Sequence, residues 1–351
     1  MICIVTILSK ENGLILALES SCDETSAAIV KDGHSVLANV VSSQIDVHQI
    51  YGGVVPEIAS RAHVERVSFV VRQALCEAGV ALNDLSAIAV TNGPGLVGAL
   101  LVGVSYAKGL SYSSGLPLVP VNHIESHIYA NFLGERAPEF PLLCLVVSGG
   151  HTSLILMRDH GVYELLGRTR DDAAGEAFDK IARVLELPYP GGPHLERLAR
   201  KGSPVFSYPR AMLESGSLDF SFSGLKSAVL NHINNARQRG ERIGSADVAS
   251  SFQHAVVEVL VEKTVSAADI TGIRSVCLAG GVSANTVLRD RLRTATAARG
   301  LNMHIPDMVY CTDNAAMVGA LGWQKYLKGI RAGLDINAFA VMPLSSWAVD
   351  N

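Results

Sequence analysis

Leu142-Leu143-Cys144-Leu145-Val146-Val147 is an apolar run of strand length, Ser148-Gly149-Gly150-His151-Thr152 is a glycine-rich turn, and Ser153-Leu154-Ile155-Leu156-Met157 is a second apolar run. Short apolar runs bounded by turn formers predict strands. The stretch therefore reads as a hairpin, closed by Asp159-His160-Gly161. About 130 residues earlier the design occurs once before: Ile15 to Glu19, then Ser20-Ser21-Cys22-Asp23-Glu24-Thr25, then Ser26 to Val30 and the turn Lys31-Asp32-Gly33. One hairpin at the head of each half predicts a duplicated, two-domain protein. A further strand, Ser275 to Ala279, runs into Gly280-Gly281-Val282-Ser283-Ala284-Asn285. Helical spacing runs over Glu57 to Glu77, with Gly79 as a stop, over Ala99 to Leu110 and over Val248 to Ala268. Strands alternating with helices predict an α/β fold. Ala236 to Ser245 predicts a surface loop.

Composition bounds what such a fold can do. The 351 residues suffice for two domains, and 48% apolar content allows a large core. No apolar run reaches the roughly 18 residues that span a membrane. Met1 to Leu8 lacks a basic start and a cleavage site, so no secretory signal is expected. Cys3, Cys22, Cys76, Cys144, Cys277 and Cys311 form no C-x-x-C pair. That argues against a disulfide framework and for a reducing cytoplasm. A net charge of -4 is not that of a general polyanion binder.

Several motifs carry chemistry. In Asn122-His123-Ile124-Glu125-Ser126-His127 the two histidines are four apart, on one face of a helix, where both rings can reach one metal ion. Glu125 points to the other side, so this is not the His-Glu-x-x-His zinc protease pattern. Two half-buried structural histidines would give the same spacing. The amides of Ser148 to Thr152 form either an anion nest or an ordinary hairpin turn. Gly280 to Asn285, between a strand and a helix, suits phosphate or ribose, unless Asn285 is simply an N-cap. Asn92-Gly93-Pro94-Gly95-Leu96-Val97-Gly98 reads slightly better as a tight strand-to-helix junction than as a phosphate cradle. Tyr189-Pro190-Gly191-Gly192-Pro193 predicts a rigid turn, with Gly192 able to offer its backbone to a ligand. Asp171 to Lys180 reads as a solvated acidic helix start, except that Asp179 sits deeper and could bind a substrate hydroxyl or ammonium. Asp313 is a plausible N-cap; if the histidines hold a metal, it is the third hard ligand.

Together these motifs resemble one family. Glu19 to Thr25, Tyr51 to Arg61, Gly93-Pro94-Gly95, His123-x-x-x-His127, Ser148 to Thr152, Asp171 to Lys180, Pro190 to Pro193, Asp219 to Lys226, Gly280 to Asn285 and Cys311 to Asn314 occur in the order of the tRNA N6-adenosine threonylcarbamoyltransferases (the TsaD family, once called O-sialoglycoprotein endopeptidases). The resemblance is to the bacterial branch and runs from about Leu14 to about Ile330. It implies a two-domain actin/Hsp70/sugar-kinase fold with a duplicated mixed-sheet core and an interdomain cleft. Residues 1–12 would be an extension, residues 13–121 one subdomain completed by a helix within 315–343, and residues 122–314 the other, with the metal and adenylate sites. It implies transfer of a threonylcarbamoyl group from threonylcarbamoyl-AMP to N6 of adenosine 37 in tRNAs reading codons that begin with A. His123, His127 and Asp313 would bind one divalent metal, iron (Fe2+) or zinc (Zn2+). Val146, Val147, Ser148, Gly149, Gly150, Asp179, Gly192 and Asn285 would bind the adenylate. Expected partners are tRNA, a shorter paralogous subunit, an ATPase subunit and a separate synthase that makes the adenylate; no membrane is expected.

The exocyclic amine of adenine is a weak nucleophile, so the electrophile must be strongly activated. A metal would serve as Lewis acid, amides near Gly149 and Gly150 would stabilise developing charge, and Asp23, Glu24 and His151 are the candidates for proton handling. Arg289, Arg291 and Arg293, with only Asp290 opposing, are a weak signal for tRNA contact, and a solvated surface is the better reading for most such basic residues. A kinase of the same fold, a metallopeptidase and a non-catalytic nucleotide-binding scaffold are the competing classes.

Overall fold

The computed structural model describes residues 13–213 and 216–347; the extension expected over residues 1–12 lies outside them. In chain order the first part holds strands β1 (Leu14–Glu19), β2 (Glu24–Lys31) and β3 (Ser35–Ser43), helices α1 (Ile45–Gln49) and α2 (Pro56–Ala78), then β4 (Ala87–Gly93), α3 (Val97–Ser114), β5 (Leu118–Asn122) and α4 (His123–Tyr129). There follow β6 (Leu142–Val147), β7 (Thr152–Asp159), β8 (Val162–Arg168), α5 (Ala174–Val184), α6 (Gly191–Ala199), α7 (Ser223–Gln238), α8 (Ser245–Thr271), β9 (Ser275–Ala279), α9 (Thr286–Ala297), β10 (Asn302–His304) and α10 (Ala315–Leu327).

These elements form two compact units. Of the described residues, one takes those up to Ser43, Pro56–Arg136 and Asn314–Pro343; the other takes Gln44–Val55, Ala137–Asp313 and those from Leu344. The boundary expected after residue 121 thus falls at 136, and α4 with its histidines belongs to the first unit. The reason is packing: Tyr129 and Ile128 are fully buried, and Glu125 pairs with Lys325 of α10.

The first unit is built on a sheet of order β3-β2-β1-β4-β5. β1 runs antiparallel to β2 and parallel to β4, and β5 is parallel to β4. Every residue of β1 and β4 is buried, as expected of strands covered on both faces. Leu14, Leu16 and Leu18 pack with Val70, Val71, Ala74, Val104 and Ala107 of α2 and α3. The alternate residues, Ile15 and Ala17, lie under α10, where a Cβ on Gly319 would stand 2.5 Å from Val30 and one on Gly322 2.4 Å from Ala89. Small residues on both sides let this helix lie close.

The second unit repeats the plan with order β10-β9-β6-β7-β8. β6 runs antiparallel to β7 and parallel to β9, and β10 is parallel to β9. Its core joins Leu143, Leu145 and Val147 of the sheet to Phe178 of α5 and Phe252 of α8. The loop expected over residues 236–245 is shorter than that, because α7 continues to Gln238 and α8 starts at Ser245. Gly191, Gly192 and Pro193 are not a turn but the start of α6. Proline is tolerated there because first-turn amides have no helical acceptor.

Candidate active site

α4 starts where β5 ends. Asn122 caps it, its side-chain oxygen accepting from the amides of Ile124 and Glu125 at 2.9 and 3.1 Å. This sets His123 and His127 one turn apart on one face, with ring centroids 4.7 Å apart. Glu125 points the other way and forms a buried ion pair with Lys325 at 3.0 Å. Asp313 directly precedes α10. The N-cap is Asn314, whose side chain accepts from the Met317 amide, so Asp313 is not the cap. Ser26 Oγ accepts from the Ala315 amide and Asn39 Oδ1 from that of Ala316. The first amides of α10 are thus satisfied by side chains other than Asp313. Among the described residues, one ligand atom from each of His123, His127 and Asp313 lies within 4.8 Å of the others. Two imidazoles and a carboxylate at that spacing fit iron(II) or zinc, with coordination positions to spare.

Sequence reading gave no role to Glu19. Its fully buried carboxylate accepts from the Ser21 amide at 2.6 Å and the Thr91 hydroxyl at 2.7 Å, and its Oε2 lies 3.1 Å from His123 Nδ1. An acidic residue in an otherwise apolar strand was the available signal. His63 was also missed. It is buried on α2, with Nδ1 2.7 Å from Thr25 Oγ1 and Nε2 3.0 Å from the Cys22 carbonyl. Burial holds its imidazole below the ordinary value, against a weaker upward pull from the Cys22 carbonyl. It thereby pins the turn that carries Asp23, which is buried, and Glu24, which accepts from Ser43 Oγ at 3.1 Å.

The adenylate candidates lie on adjoining elements of the second unit. Val146 and Val147 are buried core residues of β6, paired with Ser153 and Thr152 of β7. The turn after them is closed by Ser148 N to His151 O at 2.8 Å; Gly149, Gly150 and His151 are exposed. Ser148 O accepts from the Gly175 amide of α5 at 3.2 Å. On α5, Asp179 Oδ1 accepts from the Gly191 amide at 2.8 Å, which fixes the start of α6 beside it. On α6, Glu196 accepts from Thr286 at the start of α9. Asn285 does cap α9, accepting from the Leu288 amide at 2.9 Å, while its Nδ2 donates to Gln253 at 3.0 Å. A Cβ on Gly149, Gly150, Gly192 or Gly281 would meet nothing within 4 Å, whereas one on Gly280 would stand 2.4 Å from the Val147 carbonyl. The strand ends are thus pressed together beneath a rim of bare backbone. Buried Arg289 donates to the carbonyls of Ser283 and Pro306 and to Cys311 Sγ, so one guanidinium ties this turn to the loop that precedes Asp313.

Asp171, although exposed, and Asp172 do not serve the start of α5, whose first turn holds Glu176. Asp171 accepts from Ser221 Oγ and the Phe222 and Ser223 amides, and so caps α7. Partial burial pushes its carboxyl upward, but these hydrogen bonds bring it below the usual range. Asp172 holds Lys180 and Lys226.

A family model described as tRNA N6-adenosine threonylcarbamoyltransferase matches residues 35–320. The chain belongs to this family. A relative of that name from Moorella thermoacetica is 58% identical over 332 residues, covering 94% of this chain and 97% of its own. Among solved structures, HypF in a phosphate- and nucleotide-bound form superposes with a TM-score of 0.59 at 15% identity, over 90% of this chain and 46% of HypF. An activator of 2-hydroxyisocaproyl-CoA dehydratase from Clostridium difficile does so at 0.50 and 14%, over 90% of this chain and 96% of that one. At these identities the likeness speaks for the fold, which is the actin-like α/β class. As a member of the family the chain is an acyltransferase that forms threonylcarbamoyladenosine in tRNA. No helix among the described residues is long and apolar enough to cross a membrane.

Proposed function

We propose that this threonylcarbamoyltransferase takes its acyl group from threonylcarbamoyl-AMP and delivers it to N6 of adenosine 37 in tRNAs that read codons beginning with A, releasing AMP. The N6 nitrogen attacks the carbamoyl carbon and a C–N bond forms. The bond from that carbon to the phosphate oxygen breaks, and its electron pair leaves with AMP. The N6 proton passes to a base, for which Asp23, Glu24 and His151 are the candidates. The observation that carries the reading is the His123, His127 and Asp313 cluster, with ligand atoms within 4.8 Å of one another. These three residues would hold a single iron(II) or zinc ion, which when bound supplies Lewis-acid polarisation of a substrate oxygen.

The protein's own contribution is to grip the adenylate. Backbone amides at Ser148, Gly149 and Gly150 suit its phosphate, and they are pre-aimed donors where negative charge grows. Val146 and Val147 lend backbone to the same wall. Gly192 and Asn285, with Asp179 beneath them, suit the nucleoside. A shorter paralogous subunit and an ATPase subunit complete the assembly, a separate synthase supplies the adenylate, and the work is cytoplasmic.

The test is mass spectrometry of nucleosides from tRNA incubated with this protein, threonylcarbamoyl-AMP and the two partner subunits. Threonylcarbamoyladenosine at position 37 with equimolar AMP is expected. Modified adenosine formed only when another acyl donor is supplied would refute the proposal.

A further inference from the structure

The buried Glu19 carboxylate raises a question that the donor cluster alone does not answer: what decides which nitrogen of His123 faces the ion. Glu19 ends β1 with its side chain fully enclosed. Its Oε1 accepts from the Ser21 amide, and its Oε2 accepts from Thr91 Oγ1. The same Oε2 lies 3.1 Å from His123 Nδ1, and Ser21 Oγ lies 3.1 Å from that nitrogen too. An ionised carboxylate only accepts, so a bare Nδ1 lone pair in that place would face an oxygen lone pair. Nδ1 must therefore carry the hydrogen, which leaves the lone pair of Nε2 for coordination.

We infer that Glu19 is the positioning residue of the metal centre: it fixes the His123 tautomer and ring plane and so sets the affinity of the site. The inference rests on the metal reading above and deepens it. Carboxylates that receive the second nitrogen of a ligating imidazole raise its basicity and hold its orientation. The enclosure of Glu19 fits the same reading, because a buried negative charge is costly unless positive charge or strong donors offset it. A divalent ion beside it would supply that offset.

Glutamine is the sharp substitution. Three donors, the Ser21 amide, the Thr91 hydroxyl and His123 N–H, converge on this carboxylate. An amide of the same shape offers one accepting oxygen and forces an NH2 group against at least one of them. The full-length protein is stripped with a chelator and titrated with Zn2+ alone against a chromophoric competitor. The visible spectrum of the Co2+ form and AMP affinity are read in parallel. The wild type is expected to bind one Zn2+. Glu19→Gln is expected to bind it about 10- to 100-fold more weakly, with a shifted Co2+ band and unchanged AMP affinity. Thr91→Val, which removes one donor at a distance from the ring, should weaken binding in the same direction but less. If Glu19→Gln does not fold, Thr91→Val decides. Zn2+ affinity within twofold of wild type in Glu19→Gln, or in Thr91→Val where that must decide, overturns the inference. A wild type that binds no Zn2+ sinks the metal reading itself, and the two failures are told apart by that first titration.

Discussion

The two units share a sheet order, and in each a hairpin and a strand-to-helix turn stand at the same topological place, yet their hairpin turns are treated in opposite ways. In the first, Ser20, Ser21 and Asp23 are buried. Ser20 Oγ donates to the Ala99 carbonyl and His63 holds Cys22. The strand-to-helix turn is closed as well: a Cβ on Gly95 would stand 2.6 Å from the Ser21 carbonyl, and one on Gly103 2.4 Å from Ser20 Oγ. In the second, Gly149 and Gly150 are exposed and Gly149, Gly150 and Gly281 have open space above them. Duplication supplied the frame twice. Filling one copy with side chains closed off its backbone, and the copy left as bare backbone is the one fit to meet an anion.

The strongest way to break this comparison is to remove chemistry from the packed half. His127 is fully buried on α4. His127→Ala should abolish stoichiometric metal and lower transfer by at least about 100-fold, roughly 3 kcal/mol of transition-state stabilisation. Metal analysis with nucleoside mass spectrometry on one preparation checks it; full transfer by the metal-free variant would leave the packed half without a metal-dependent part in catalysis.

Next in size is a backbone effect within the open half. Gly280 has φ +88 and no room for a Cβ against Val147. Gly280→Ala should cost about 2 kcal/mol or more, from strain and from prying β6 and β9 apart. Denaturant unfolding measures it.

The sequence made much of this legible. Alternation and turn chemistry located both hairpins, the helix periods located α2, α3 and α8, and a spacing of four located the histidine pair. What stayed hidden depends on long-range contacts. Glu19, Thr91 and His123 meet although up to 104 positions separate them, and nothing in an apolar strand says what its terminal carboxylate will touch. Asp171 looked like a charge for the helix that follows it, but caps α7 about 50 residues on, because Ser221 to Ser223 fold back to it. The membership of α4 in the first unit and of Gln44–Val55 in the second escaped for the same reason: local patterns set elements, and packing decides which core each one joins.

A smaller effect sharpens the packed side. Burial lowers the His63 imidazole from its ordinary value of 6.5, so folding favours the neutral ring. Its contribution is therefore whole above pH 6.5 and is lost as pH falls from there through the lower folded value. Wild type should lose more stability between pH 7 and 5 than His63→Gln, in matched thermal melts. Equal slopes would mean that the ring does not brace the Cys22 turn in its neutral form.

The smallest effect expected is the most telling. Gly149→Ala adds a methyl group where nothing lies within 4 Å, at a φ open to any residue. The fold should not notice, and the melting temperature should stay within about 1 °C. Gly95→Ala, in the strand-to-helix turn of the packed half, should lower it by several degrees, because its Cβ would collide with Ser21. AMP affinity should respond in the reverse order: a few-fold weaker in Gly149→Ala, where the methyl stands in the path of a phosphate against the amides, and unchanged in Gly95→Ala. Were both variants destabilised alike with AMP binding intact, the exposed turn would be scaffold, and the difference between the halves would be one of accessibility alone.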